Sequence, residues 1–215
     1  MNARQILITA LLLLMFTVFG TALVAFTYNN TRSVIEANAR ANLLQNLHAM
    51  IPPEQHDNDL LNDSLEVIDP DLLGTDAPVT IYRARKDGQP VAIILAPVAP
   101  DGYSGNIKLL VAINADGTLI GVRVTAHRET PGLGDPIEAA RSDWILKFTG
   151  RSLIDPDEKH WAVKKDGGVF DQFTGATITP RAVVKAVKKS LVYFQRHRQI
   201  LFAGAPHPAA EEASP

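Results

Sequence analysis

The run Val79-Thr80-Ile81-Tyr82-Arg83, the pair Asp87-Gly88 and the run Pro90-Val91-Ala92-Ile93-Ile94-Leu95 decide the fold. Together the two runs are rich in Val, Ile and Leu, and Asp-Gly readily takes the positive φ of a two-residue hairpin. A second unit repeats the form, with 106–114 and 118–125 flanking Asp116-Gly117. Two hairpins predict four antiparallel strands. With helices on either side, they make one α+β domain, placed at 78–202.

Working outward toward the amino terminus, residues 54–74 are acidic and turn-rich and read as a solvated connector. They lack the spacing of an EF-hand calcium loop. Before them, Leu43, Leu44 and Leu47 share one helical face over 31–50, a connecting helix that Pro52-Pro53 stops. Residues 29–77 therefore form a connecting helix and acidic linker. Residues 5–31 carry no charge, and the apolar run to Phe26 is long enough for a helix to cross about 30 Å of bilayer. This predicts a single transmembrane anchor at 1–28, in contact with the lipid bilayer. The rival is a signal peptide cleaved near Gly20-Thr21-Ala22, though the apolar run continues past that point. Arg4 on one flank faces Arg32 and Arg40 on the other, so charge leaves the orientation open.

Composition narrows the chemistry. A net charge of −2 over 215 residues, with no long basic run, argues against nucleic acid as a partner. The chain has no cysteine, which excludes disulfides, thiolate catalysis and Cys-ligated iron–sulfur clusters. No metal site and no catalytic residue is expected. Redox work would need an organic cofactor or a group held by other ligands.

Working outward toward the carboxyl terminus, Ala126 to Pro136 is a loop with glycines at 132 and 134, which let backbone approach something closely. It has neither the dinucleotide-binding nor the Walker glycine pattern, and His127 with Glu129 reads as structural. Asp135-Pro136 predicts a helix start, with Ile137, Ala140, Trp144, Ile145 and Phe148 on its buried side. Trp161 reads as core. The stretch Asp171-Gln172-Phe173-Thr174-Gly175-Ala176-Thr177-Ile178-Thr179-Pro180 is a hydroxyl-rich turn entering a helix. Thr179 is the expected N-cap and Pro180 the first helical residue. A phosphate is stabilised at such a helix end. The closing helix, Pro180 to about His197, places Val183, Val184, Val187, Leu191 and Phe194 inside and a solvated lysine face outside. The tail, 203–215, is expected to be disordered.

Asp171, Thr174, Gly175, Ala176 and Thr177 match the pattern Asp-x-x-Ser/Thr-Gly-Ala-Thr, by which a flavin transferase recognises its target. Gly102-Tyr103-Ser104-Gly105, Glu129 to Asp135, Ser142-Asp143-Trp144 and His160 to Gly168 add to the match. Together they make the chain resemble the RnfG family, the G subunits of Rnf ion-translocating electron transport complexes, also called SoxR-reducing complexes. The resemblance implies a flavoprotein anchored in the bacterial inner membrane, with its domain in the periplasm and FMN bound covalently through Thr177. It implies electron relay among the other subunits of the complex rather than a stand-alone enzyme, with the flavin transferase as a maturation partner. Thr174, Gly175 and Ala176 join the cofactor site through the motif. Glu129, Thr130, Leu133 and Gly134 are expected to touch the flavin, as is the segment Trp161 to Lys165. Two alternatives stand beside this reading: a C-subunit-like flavin carrier of a sodium-translocating NADH:quinone reductase, and a flavin-free structural or sensory docking subunit.

Overall fold

A computed structural model describes residues 2–203 of the chain. It divides into two compact units, residues 1–45 and 46–215. The first unit lies within helix α1 (Ala3–Met50), whose apolar stretch is exposed throughout and long enough to cross a membrane. In water such a surface is unfavourable; in a bilayer it matches the solvent. The expected tail lies outside the described residues from 204 onward, and Ala203 closes the last helix.

The second unit is built on one antiparallel sheet. Strands β1 (Ser64–Val67), β2 (Val79–Lys86), β3 (Gln89–Leu95), β5 (Ile107–Asn114) and β6 (Leu119–Ala126) lie side by side in that order. The two-residue β4 (Val98–Ala99) continues along the β3 edge of β5. Both expected hairpins form. Asp87 and Gly88 take φ of 51° and 72°, the double positive-φ turn that suits the twist of the flanking strands. Alternation places Ile81, Ile93, Leu95, Leu109, Val111 and Ile113 in the main core. The intervening Tyr82, Ile94, Leu110 and Ala112 are buried too.

Helix α3 (Ile178–Ala203) packs Val183, Val184, Val187, Leu191 and Phe194 into that core. Its outer basic residues are less free than a solvated face suggests. Arg181 pairs with Asp166, Lys185 with Asp101 and Lys188 with Glu158, while Lys189 donates to the Asp71 carbonyl. The core is completed by Trp144, Phe148, Trp161 and Phe170, with Phe148 and Phe170 stacked at 4.4 Å between centroids.

Three expectations change. The acidic segment is folded, not a solvated connector. It contributes β1 and α2 (Pro70–Leu73), and Leu60 and Asp63 are buried. Asp63 accepts from Arg83 Nε at 2.6 Å and Arg85 Nε at 2.9 Å, and this long-range pairing holds the segment on β2. Second, the single helix from Asp135 to Phe148 is two short 3-10 turns, Asp135–Ile137 and Asp143–Phe148. Glu138 is extended at the end of the first, and the Ser142 hydroxyl donates to the Pro136 carbonyl while accepting from the Trp144 N–H. A Ser side chain that engages backbone in this way competes with a continuous helix. Ile137, Trp144, Ile145 and Phe148 are buried as expected, but Ala140 is exposed. Third, α3 begins at Ile178, two residues before the expected start.

Candidate functional site

That shift of two residues reassigns the threonines. Thr177 now stands just ahead of the helix, and its carbonyl accepts the Arg181 N–H at 3.4 Å, as an N-cap carbonyl does. Thr179 lies in the first turn, 1% exposed, with its hydroxyl donating to Glu129 Oε2. Pro180 follows in the same turn, where a missing N–H costs nothing.

Around this helix start lies a cleft of about 370 Å³, lined by Tyr103, Glu129, Thr130, Leu133, Gly134, Gly175, Ala176, Thr177, Ile178 and Thr179. Three separate segments meet there: the loop before β5, the loop after β6 and the start of α3. Glu129 joins them. Its Oε1 accepts the Ser104 N–H at 2.9 Å, and its Oε2 accepts the Thr179 hydroxyl. The loop after β6 is itself stitched. His127 Nδ1 accepts the Glu129 N–H at 3.0 Å, which leaves the proton on Nε2 for Glu138 Oε1 at 2.6 Å. Gly132 N–H donates to Asp135 Oδ1 at 2.7 Å. His127 is thereby tied into the loop at both ring nitrogens.

The glycines do different jobs. Gly175 has φ 82° and Gly132 φ 77°, turns that favour glycine. Gly134 has φ −98°, open to any residue. A Cβ there would meet Glu129 Cβ at 2.8 Å, Thr179 Oγ1 at 3.0 Å and Glu129 Oε2 at 3.1 Å. Its bare backbone makes room for the Glu129–Thr179 contact.

At the other end of the motif, the Asp171 carboxylate bridges Lys147 and Lys164, and its carbonyl accepts the Trp144 indole N–H at 2.7 Å. The Lys147 ammonium first, and then that of Lys164, holds the Asp171 carboxyl below the usual carboxylate range. These contacts fasten the loop that presents Thr177.

The cleft gathers Glu129, Thr130, Leu133, Gly134, Gly175, Ala176 and Thr177 of the expected set. Thr174 is exposed and lies outside the lining, and so does the segment Trp161 to Lys165. Within that segment Trp161 is buried, its indole N–H donating to the Ser152 carbonyl at 2.8 Å, and Lys164 is spent on Asp171. Sequence reasoning missed Tyr103 and Ile178, which are 69% and 47% exposed at the rim. The position of Tyr103 between two glycines was the available signal. Among the described residues no group of three or more metal-ligating side chains occurs.

The cleft suits FMN on its own geometry. Its volume lies in the range of small-molecule sites, about 300–1,000 Å³. Tyr103, Leu133, Ala176 and Ile178 offer apolar surface to a planar ring. The amino end of a 26-residue helix, with its unpaired N–H groups, favours a phosphate.

The family model described as the FMN-binding domain matches residues 102–192, and the RnfG N-terminal region matches residues 1–50. A single membrane-anchoring helix followed by this domain defines a membrane-anchored flavoprotein. The chain is 50% identical over 198 residues to the G subunit of the ion-translocating oxidoreductase complex of Shewanella loihica, covering 92% of this chain and 93% of that protein. To the protein of the same description from Pseudomonas aeruginosa PAO1 it is 51% identical over 207 residues, 96% of each. To that of Vibrio cholerae O395 it is 49% identical over 198 residues, 92% of this chain and 94% of the relative. The chain belongs to the RnfG family, the G subunits of ion-translocating oxidoreductase complexes.

Proposed function

We propose that this chain carries FMN esterified through its phosphate to Thr177 and relays electrons among the subunits of an Rnf-type ion-translocating complex. The domain faces the periplasm, and α1 holds it to the inner membrane. Maturation is a transfer from FAD. The Thr177 oxygen attacks the phosphorus on the FMN side, the bond to the AMP phosphate breaks, AMP leaves and the hydroxyl proton is released.

One observation carries the choice of Thr177. Three threonines crowd the motif, and they differ in what their hydroxyls can do. That of Thr179 is buried and committed to Glu129. Thr174 is exposed outside the cleft. Thr177 lines the cleft at the start of α3, half-buried, and among the described residues no hydrogen bond ties its hydroxyl. It stands where ester formation would leave the phosphate at the helix end and the ring in the apolar cleft.

When bound, FMN supplies reversible electron storage. The chain's residues supply the rest. The Asp171 bridges present the acceptor loop, Glu129 holds the three walls together, and the apolar rim gives the ring a surface to lie against. The test is expression of the full chain with and without a flavin transferase. Flavin that survives denaturation is expected only with the transferase present, and is absent from Thr177→Ala. Covalent flavin on folded Thr177→Ala would refute the assignment.

A further inference from the structure

Glu129 is a carboxylate in an unusual setting. It is 4% exposed and lines the cleft, and among the described residues no lysine, arginine or histidine side chain bridges it. Its two oxygens are satisfied by a backbone N–H and a hydroxyl, both neutral donors. The other lining side chains are apolar, hydroxyl-bearing or absent. The geometry points to Glu129 as the residue that sets the flavin's reduction potential, its uncompensated charge holding that potential low. This rests on the reading that FMN occupies the cleft.

The reasoning is electrostatic. Reduction adds electrons to the ring and raises its negative charge. A fixed negative charge in a poorly solvated wall opposes that change, and the opposition is strongest where water is excluded. A scaffold role alone would not need a charge. A glutamine accepts the Ser104 N–H through its carbonyl, and its amide donates to the Thr179 oxygen, which can also accept. The same three segments can be joined without any ionised group, so the charge is what remains to be explained. Gly134 and Gly102 both accommodate it, since a Cβ at either position would press on a Glu129 oxygen, at 3.1 Å and 3.0 Å respectively.

The experiment uses the full chain, matured by co-expressed flavin transferase, as wild type and as Glu129→Gln, Thr179→Val and Ile178→Lys. Intact mass gives flavin occupancy, spectroelectrochemistry gives the potential, and the melting temperature is taken on protein made without the transferase. Glu129→Gln is expected to load flavin and to move the potential upward, changing the reduced-to-oxidised ratio at fixed applied potential by tenfold or more, about 30 mV for a two-electron couple. Thr179→Val keeps the charge and removes the hydroxyl, so it is expected to melt lower without that upward move. Ile178→Lys adds a positive charge at an exposed lining position, and is expected to move the potential in the same direction as Glu129→Gln.

A loaded Glu129→Gln with an unshifted or lowered potential overturns the inference and leaves the attachment reading standing. So does an equal upward shift in Thr179→Val, which would make geometry the cause. A folded Glu129→Gln that carries no flavin assigns the residue to binding instead. If Glu129→Gln does not fold, an unshifted Ile178→Lys overturns the claim that charge in this wall sets the potential. Wild type without flavin overturns the attachment reading, and this inference falls with it.

Discussion

Replacing Gly134 with alanine separates two explanations of the loop after β6. If the glycine is there so that backbone can approach the flavin, its replacement harms the cofactor and spares the empty fold. The geometry argues otherwise. With φ at −98°, an alanine is not strained by its backbone, so space alone decides. Its Cβ meets Glu129 Cβ at 2.8 Å and Thr179 Oγ1 at 3.0 Å, closer than such atoms approach without something moving. Neither neighbour is a loose chain end: Glu129 is tied at both oxygens and Thr179 sits in the first turn of α3. Overpacking of this kind costs about 1–3 kcal/mol. For a folded unit of this size each kcal/mol lowers the melting temperature by about 2–4 °C. A drop of roughly 2–12 °C is therefore expected. Calorimetry on Gly134→Ala in the flavin-free Thr177→Ala background reads it without interference from the cofactor. An unchanged melting temperature there, together with lost flavin in the modifiable background, would refute the packing explanation and restore the close-approach one.

Other outcomes follow from the same contacts. Asp63→Ala removes the buried carboxylate that pairs with both Arg83 and Arg85, and is expected to destabilise by about 3–5 kcal/mol in denaturant unfolding. The Asp171 carboxyl is depressed in the folded state by Lys147 and Lys164, so its stabilising contribution is present above its unfolded value of about 3.9 and is lost as pH falls through the lower folded value. The melting gap between wild type and Asp171→Asn should accordingly be wider at pH 7 than in strong acid; a gap independent of pH would show that the bridges contribute nothing. A reporter active only in the periplasm, fused after Phe202, is expected to be active, and activity from a cytoplasmic reporter at that junction would reverse the topology.

The parts of the fold that sequence made legible are those with local causes. Asp87-Gly88 and Asp116-Gly117 dictate their turns whatever surrounds them, and the inner stripe of α3 follows from spacing alone. The parts that were illegible depend on distant partners. Residues 56–63 look like solvated linker because the arginines that bury Asp63 lie 20 and 22 positions away. The break between Asp135 and Phe148 turns on one hydroxyl, that of Ser142, which reaches the Pro136 carbonyl. At the site, reading Thr179 as the cap and Pro180 as the first helical residue placed the helix start two residues late. Nothing local reveals that Thr179 is consumed by a glutamate 50 positions earlier. Nor does anything local reveal that Gly134, which sequence offers as a cofactor glycine, sits against that contact.

Where the flavin is attached can be read from one peptide. Trypsin cuts after Lys165 and Arg181, so a single fragment, 166–181, contains Thr174, Thr177 and Thr179. Fragmentation mass spectrometry of that peptide, from full-length protein matured in its own host, is expected to place one FMN phosphoester on Thr177 and leave the other two threonines unmodified. An unmodified peptide, or an ester on Thr174 or Thr179, would contradict the assignment.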